Sequence, residues 1–298
     1  MPTRRTPYTG LNSTPAREGV GHQRLGLSAQ GWNRVPPQRI AAVTYIKHQG
    51  GGGSEAELIA GSDGKSYVVK FRGNPQGTRI LANEYVTCQI AELLEAPCPP
   101  GRIMTVQAEF IGRVPIRYGG ALAREGPQFA SEFQCDDRGA TFQAPVPSIL
   151  KQLVNREKIA AKVILDNLVA NEDAKIEHVI HHPVKGGQRF WEVDFGHTLG
   201  ITRGWKGLVP PKPEAPLTAP CLAECIFDLA EFEPVLKLLD DRVTDGVLDE
   251  ILSEVPLAEW EVGAEEPSSL KGFILQQKAN MRNRIACSQK VFPKLGAK

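Results

Sequence analysis

Asp173 and Asp194 stand twenty-one residues apart on either side of a predicted hairpin; far upstream, a glycine run (Gly50, Gly51, Gly52, Gly53, then Ser54) precedes a strand-borne lysine, Lys70. Glycines let backbone amides approach an anion, an ammonium grips its oxygens, and two carboxylates can serve a metal ion and an acceptor hydroxyl. Together these groups suit transfer of a phosphoryl group from a nucleotide, a reaction that asks a protein for positioning and charge. Each has a plainer reading alone: a flexible hairpin tip, a turn cap, a surface hairpin. Their order along the chain favours the joint one.

The elements that must hold these groups can be read from periodicity. Between Arg39 and Phe71 the pattern alternates and is broken at Gly50 to Ser54 and at Ser62 to Lys65, which predicts three strands in a meander. Tyr67, Val69 and Phe71 then face one way and Val68 and Lys70 the other. Gly64-Lys65-Ser66 is no phosphate loop of the Walker type, because Ile59 stands where its first glycine would be. A helix is predicted from about Thr78 to Glu95. In it Glu84 shares a face with Ile80, Cys88 and Ala91, and a carboxylate in such a stripe needs a cation. Lys70, fourteen residues earlier, is the obvious partner.

Residues 103–106 and 109–116 read as further strands, completing a mainly antiparallel N-terminal sheet. Residues 148–170 read as one long amphipathic helix that delivers Asn171-Glu172-Asp173, and strands at 179–184 and 189–193 turn at Gly186-Gly187 and deliver Asp194-Phe195-Gly196. Helices are expected at about 220–231, 233–240, 244–253 and 268–291.

Composition limits the alternatives. With 41% hydrophobic and 23% charged residues, 298 residues can bury a full core, and no apolar run is long enough to span a bilayer. Six scattered cysteines and no apolar leader suit reduced thiols, so a cytoplasmic address is expected. The formal charge is +1, but residues 1–40 carry six arginines against one glutamate, or +5, leaving −4 for the rest. The body therefore has no general footprint for nucleic acid. The arrangement expected is a disordered basic tail over 1–38, a sheet-rich lobe over 39–118 and a helical lobe over 119–298. His178, His181, His182, Cys221 and Cys225 do not have the spacing of a structural zinc site.

The run from Tyr67-Val68-Val69-Lys70-Phe71 through Asn74-Pro75-Gln76-Gly77 to Asn83-Glu84 resembles the signature of HipA-like kinase domains, bacterial relatives of the HipA toxin kinase. The resemblance is specific over about 43–107 and partial over 129–200. It implies an α+β, protein-kinase-like bilobal fold and ATP-dependent phosphorylation of serine or threonine on a protein, with magnesium as cofactor; manganese enters only through His178 in a metal position. By it Lys70 binds the phosphates, Glu84 positions Lys70, Asp173 is the catalytic aspartate and Asp194 a metal ligand. It further suggests Ser54 as a self-phosphorylation site and an antitoxin or regulatory protein as partner. The family's catalytic loop reads Asn-x-Asp-Arg-His-x-x-Asn; here Ala174, Lys175 and His178 replace its Arg, His and final Asn. That puts His178 in the second metal position, where imidazole suits magnesium poorly. The substitutions leave two rivals: a nucleotide-binding pseudokinase that acts through a partner, and a kinase for a small metabolite.

Overall fold

The computed structural model describes residues 34, 36–49, 53–114, 116–136, 138–143, 147–200, 204–219 and 221–296. Most of the expected tail, residues 1–33 and 35, and three of the glycines, Gly50, Gly51 and Gly52, lie outside them.

The predicted meander is present as β1 (Ile40–His48), β2 (Glu57–Gly61) and β3 (Ser66–Lys70), followed by α1 (Ile80–Leu93) and β4 (Gly101–Val106). Antiparallel pairing of β1, β2 and β3 continues through β7 (Gly126–Glu132) to β4, and a short parallel contact of Ile40 and Ala41 with Met104 and Thr105 closes a five-stranded barrel. The barrel's fifth strand thus comes from beyond residue 118, where the sequence reading ended this lobe. Ile59, Tyr67, Val69, Phe71, Met104 and Ala130 fill the interior, which leaves Val68 and Lys70 on the outer face, as alternation requires.

The strand expected over 109–116 is instead a short helix, α2 (Ala108–Arg113). Its adjacent Phe110 and Ile111 are both buried in the barrel core, which a strand, sending neighbours to opposite faces, would not achieve here. A small hairpin, β5 (Arg117–Tyr118) and β6 (Ala121–Leu122), leads into β7.

α1 leaves the barrel and joins the second core. Every residue in it except Glu92 is buried. It packs with α4 (Ile159–Leu168), α5 (Glu233–Arg242), α6 (Asp245–Glu254) and α7 (Glu266–Ala286) around Leu165, Leu168, Phe195, Trp205, Phe232, Ile251 and Trp260. The single helix expected over 148–170 is broken into α3 (Pro147–Leu150), a 3-10 turn and α4. The cause is tertiary: Gln188 donates to the Gln152 carbonyl and accepts from the Val154 amide, so that backbone is committed to a bridge with the hairpin. The 220–231 helix is likewise two 3-10 turns, 223–225 and 229–232. The hairpin itself, β9 (Val179–Val184) and β10 (Gly187–Glu192), forms as read from the sequence, with β8 (Phe142–Gln143) alongside β9.

At Gly187 a Cβ would stand 2.2 Å from the carbonyl oxygen of Gln152, a backbone atom that cannot step aside. Gly187→Ala is expected to destabilise the fold by about 1–3 kcal/mol. Urea unfolding measures this; an unchanged midpoint would mean that the hairpin does not dock so closely on 152–154.

Candidate active site

A cavity of about 590 Å³ opens between the barrel and the helical part, and Gly53, Ser54, Lys70, Glu84, Asp173, His178 and Asp194 all line it. Every described residue singled out from the sequence as a candidate is therefore brought to one place. Ala56, Val68 and Phe129 from the barrel face Ile180 and Val193 from the hairpin across the same space. A cavity that combines apolar side chains with these charged groups suits a planar base carrying phosphates.

Lys70 emerges at the end of β3 with only 7% of its surface exposed. Its Nζ donates to Glu84 Oε1 on α1 and, at 2.6 Å, to Asp194 Oδ1. Burial opposes the ammonium charge, but the two carboxylates more than offset it and raise the lysine's pKa. Burial also tends to raise Asp194, yet the Lys70 charge and hydrogen bond prevail and hold it at about 2, whereas at Glu84 burial outweighs the lysine and the pKa rises. Asp194 is held with φ +67°, a left-handed conformation that a non-glycine residue adopts only where its surroundings compel it.

Asp173 lies across the cavity on a half-buried loop. Its carboxylate takes Lys175 Nζ at 2.9 and 3.0 Å, and its amide donates to Asn171 Oδ1 at 3.2 Å. Asn171 Nδ2 in turn donates to Asp166 Oδ1 at 2.7 Å. Asp166 belongs to a fully buried ion cluster in which Lys162 Nζ lies 2.6 Å from Asp166 Oδ2 and 2.8 Å from Glu192 Oε1. The second contact is an ion pair not aligned as a hydrogen bond. Burial, then the neighbouring Asp166, push Glu192 up to about 8. Sequence reading missed this anchor. Lys162 and Asp166 at i, i+4 in an apolar helix were its visible signal, but Glu192 is 26 positions further on.

His178 Nε2 points between the two aspartates, 3.4 Å from Asp194 Oδ2 and 3.8 Å from Asp173 Oδ2. Burial lowers its pKa ahead of the pull from Asp194, so the neutral ring is favoured. Its buried Nδ1 has no partner, unlike a histidine oriented for metal binding by an outer hydrogen bond. Among the described residues no three His, Cys, Asp or Glu side chains close on a point fit for a metal ion. The set does fit a divalent cation that keeps most of its oxygen ligands from water and phosphate and takes one or two carboxylates from the protein. Ser54, only 4% exposed, lines the same cavity.

Asn83, next to Glu84 and given no role in the sequence reading, bolts α1 to the segment carrying Asp194. It donates to the Gly196 and Thr198 carbonyls at 3.1 and 2.7 Å and accepts from the Trp205 indole at 2.9 Å. Thr87 meets Thr198 at 2.9 Å, and Arg79 lies over the Trp205 ring and binds Glu266. Burial tends to raise the Glu266 carboxyl, but Arg79 and the amides of Gly263 and Trp205 hold it at about 2, against an ordinary 4.5. Its folded pKa is depressed, so its stabilisation is present above 4.5 and lost as pH falls toward about 2. The difference in urea midpoint between wild type and Glu266→Gln should shrink over that window; a constant difference would remove the assignment.

No family model and no curated protein sequence matches the chain. Among solved structures, the Helicobacter pylori proinflammatory kinase CtkA superposes with a TM-score of 0.51 at 10% identity, covering 85% of this chain and 98% of that one. The fold is kinase-like. A Golgi casein kinase with Mn/ADP bound (TM-score 0.44, 12% identity, 89% and 75% coverage) and Shewanella oneidensis MR-1 HipA in a complex with HipB and operator DNA (0.38, 9%, 82% and 67%) superpose too loosely to carry an argument. The kinase-like fold bears out the α+β, bilobal expectation: a sheet-built lobe, a helical lobe, and the cavity between them. Among the described residues no helix is long and apolar enough to cross a membrane.

Proposed function

We propose that the chain is an ATP-dependent phosphotransferase of the HipA-like kind that phosphorylates serine or threonine hydroxyls on a protein. The observation that carries this reading is Lys70, held between Glu84 and Asp194 in a cavity that Asp173 also lines. In this reading Lys70 holds phosphate oxygens, Glu84 fixes the direction of the ammonium, and the amides around Gly53 and Ser54 cover the phosphates. Asp194 and, less readily, His178 are the groups that would hold magnesium or manganese. When bound, that ion spreads the negative charge of the phosphates. Asp173 orients the acceptor hydroxyl and takes its proton as the oxygen attacks. Lys175 must then swing off the Asp173 carboxylate or remain as a positive charge beside the transferring group.

The Lys175 to Asp173 ion pair also favours the second reading, a pseudokinase, because it occupies the carboxylate that would receive the hydroxyl. One experiment separates the two: intact mass and thermal melting after incubation with ATP and either magnesium or manganese. A nucleotide-dependent rise in melting temperature with a phosphoryl-sized mass gain on the chain or on a supplied serine/threonine peptide supports the kinase. A rise without transfer under either metal supports the pseudokinase. No rise removes both.

A further inference from the structure

Arg34 sits in a Pro-, Gly- and Arg-rich stretch whose sequence reads as solvated tail, yet its side chain is only 4% exposed. Its Nη1 and Nη2 grip both oxygens of Glu254, at 2.5 and 2.8 Å, and Nη2 also donates to Gln89 Oε1 at 2.6 Å. Glu254 is the last residue of α6, and Gln89 is on α1, five residues past Glu84. Two further bonds tie the group together. Tyr85, adjacent to Glu84, donates its hydroxyl to Glu254, and Gln89 Nε2 donates to the Gly101 carbonyl at 3.1 Å where β4 begins. A bidentate arginine-carboxylate pair, partly buried and further hydrogen-bonded, is among the more rigid junctions a protein can build.

The position of this junction gives it meaning. Asn83 and Thr87 fasten α1 to the segment after Asp194, Arg79 just ahead of α1 binds Glu266 on α7, and Tyr85 and Gln89 fasten α1 to α6 through Glu254 and Arg34. Glu84 lies between the two sets of bolts. With the second set loosened, α1 could pivot about the first and carry the Glu84 carboxylate away from Lys70. Swinging of the corresponding helix is a recognised means by which kinase-like folds lose their lysine-glutamate pair.

We propose that Arg34 is a positioning residue: a latch, supplied by the segment that leads into β1, that clamps α1 to α6 and so keeps Glu84 on Lys70. The effect on activity rests on the kinase reading above; the effect on α1 does not. The latch makes competence of the site depend on an intact chain between Arg34 and Ile40, so a cut there, or a partner that draws the segment off, would switch the site off from outside the cavity.

Hydrogen exchange on the full chain tests this. Arg34→Ala should speed amide exchange across Ile80–Leu93 by about tenfold or more while β2, β3 and α7 keep wild-type protection, a local opening rather than global unfolding. Arg34→Lys, which retains the charge without the fork, should fall between the two and serves if the alanine variant does not fold. The double variant Arg34→Ala/Glu254→Gln has no orphaned carboxylate and should remain as open as the single. Phosphoryl transfer should fall with α1 protection. Wild-type exchange over α1 in Arg34→Ala overturns the latch. So does a double variant restored to wild type, because the single would then report only an unpaired charge, and so does a uniform loss of protection over the whole chain. A wild-type chain that neither binds nucleotide nor transfers phosphate removes the kinase reading, while the exchange comparison still decides the latch.

Discussion

Lys70→Met is expected to abolish nucleotide binding and to cost the fold about 3–5 kcal/mol, because removing one partner of a buried ion pair leaves the other uncompensated. Glu84 and Asp194 both aim an oxygen at the Lys70 ammonium, and the lysine and glutamate side chains are 8% and 3% exposed. Without the cation, two carboxylates are left without their shared counter-charge, and Glu84, already raised by burial, should take up a proton. The companion variant separates stability from function. Lys70→Met/Glu84→Gln removes the more deeply buried of the two orphaned charges, leaving Asp194, and should recover part of the lost stability in urea without recovering nucleotide affinity by calorimetry. Wild-type affinity in Lys70→Met would rule this lysine out as the phosphate-binding cation.

Asp173→Ala should slow phosphoryl transfer by about 10²–10⁴-fold, the usual worth of a positioned general base, with nucleotide affinity nearly unchanged. The carboxylate sits on a half-exposed loop and its hydrogen-bonding partner Lys175 is exposed, so little stability is at stake. Single-turnover transfer and equilibrium binding, measured on the same preparation, read the two quantities apart. An unchanged transfer rate would take Asp173 out of the chemistry. Loss of binding in place of transfer would show it to be a phosphate-side or metal-side group.

How far the sequence could be read depended on whether the determining contacts were local. Lys70 and Glu84 were legible because strand alternation and helical spacing each leave one charged residue in an apolar setting, fourteen positions apart. The β9–β10 hairpin was legible from its glycine turn. By contrast, Gly126–Glu132 has the sequence GPQFASE, with a proline and no β-branched residue; it is a strand because β3 and β4 both pair with it. The break after Leu150 was hidden for the same reason, since it depends on Gln188, nearly forty residues later. Arg34 was illegible because its partners, Gln89 and Glu254, lie 55 and 220 residues away. Asn83 sat in plain view beside Glu84, but nothing nearby in sequence announced that Gly196, Thr198 and Trp205 would meet it.

The cluster beneath the Asp173 loop also constrains how such a chain can diverge. Lys162 is the one cation between the two buried carboxyl groups of Asp166 and Glu192, so replacing it alone strands them at a cost of several kcal/mol, whereas well-packed apolar side chains in all three places are nearly neutral. Loss of the lysine by itself is therefore barred while joint replacement is open. Drift through the surrounding helix and hairpin can erase sequence similarity residue by residue, but Lys162 must be inherited with a carboxylate beside it or abandoned together with both.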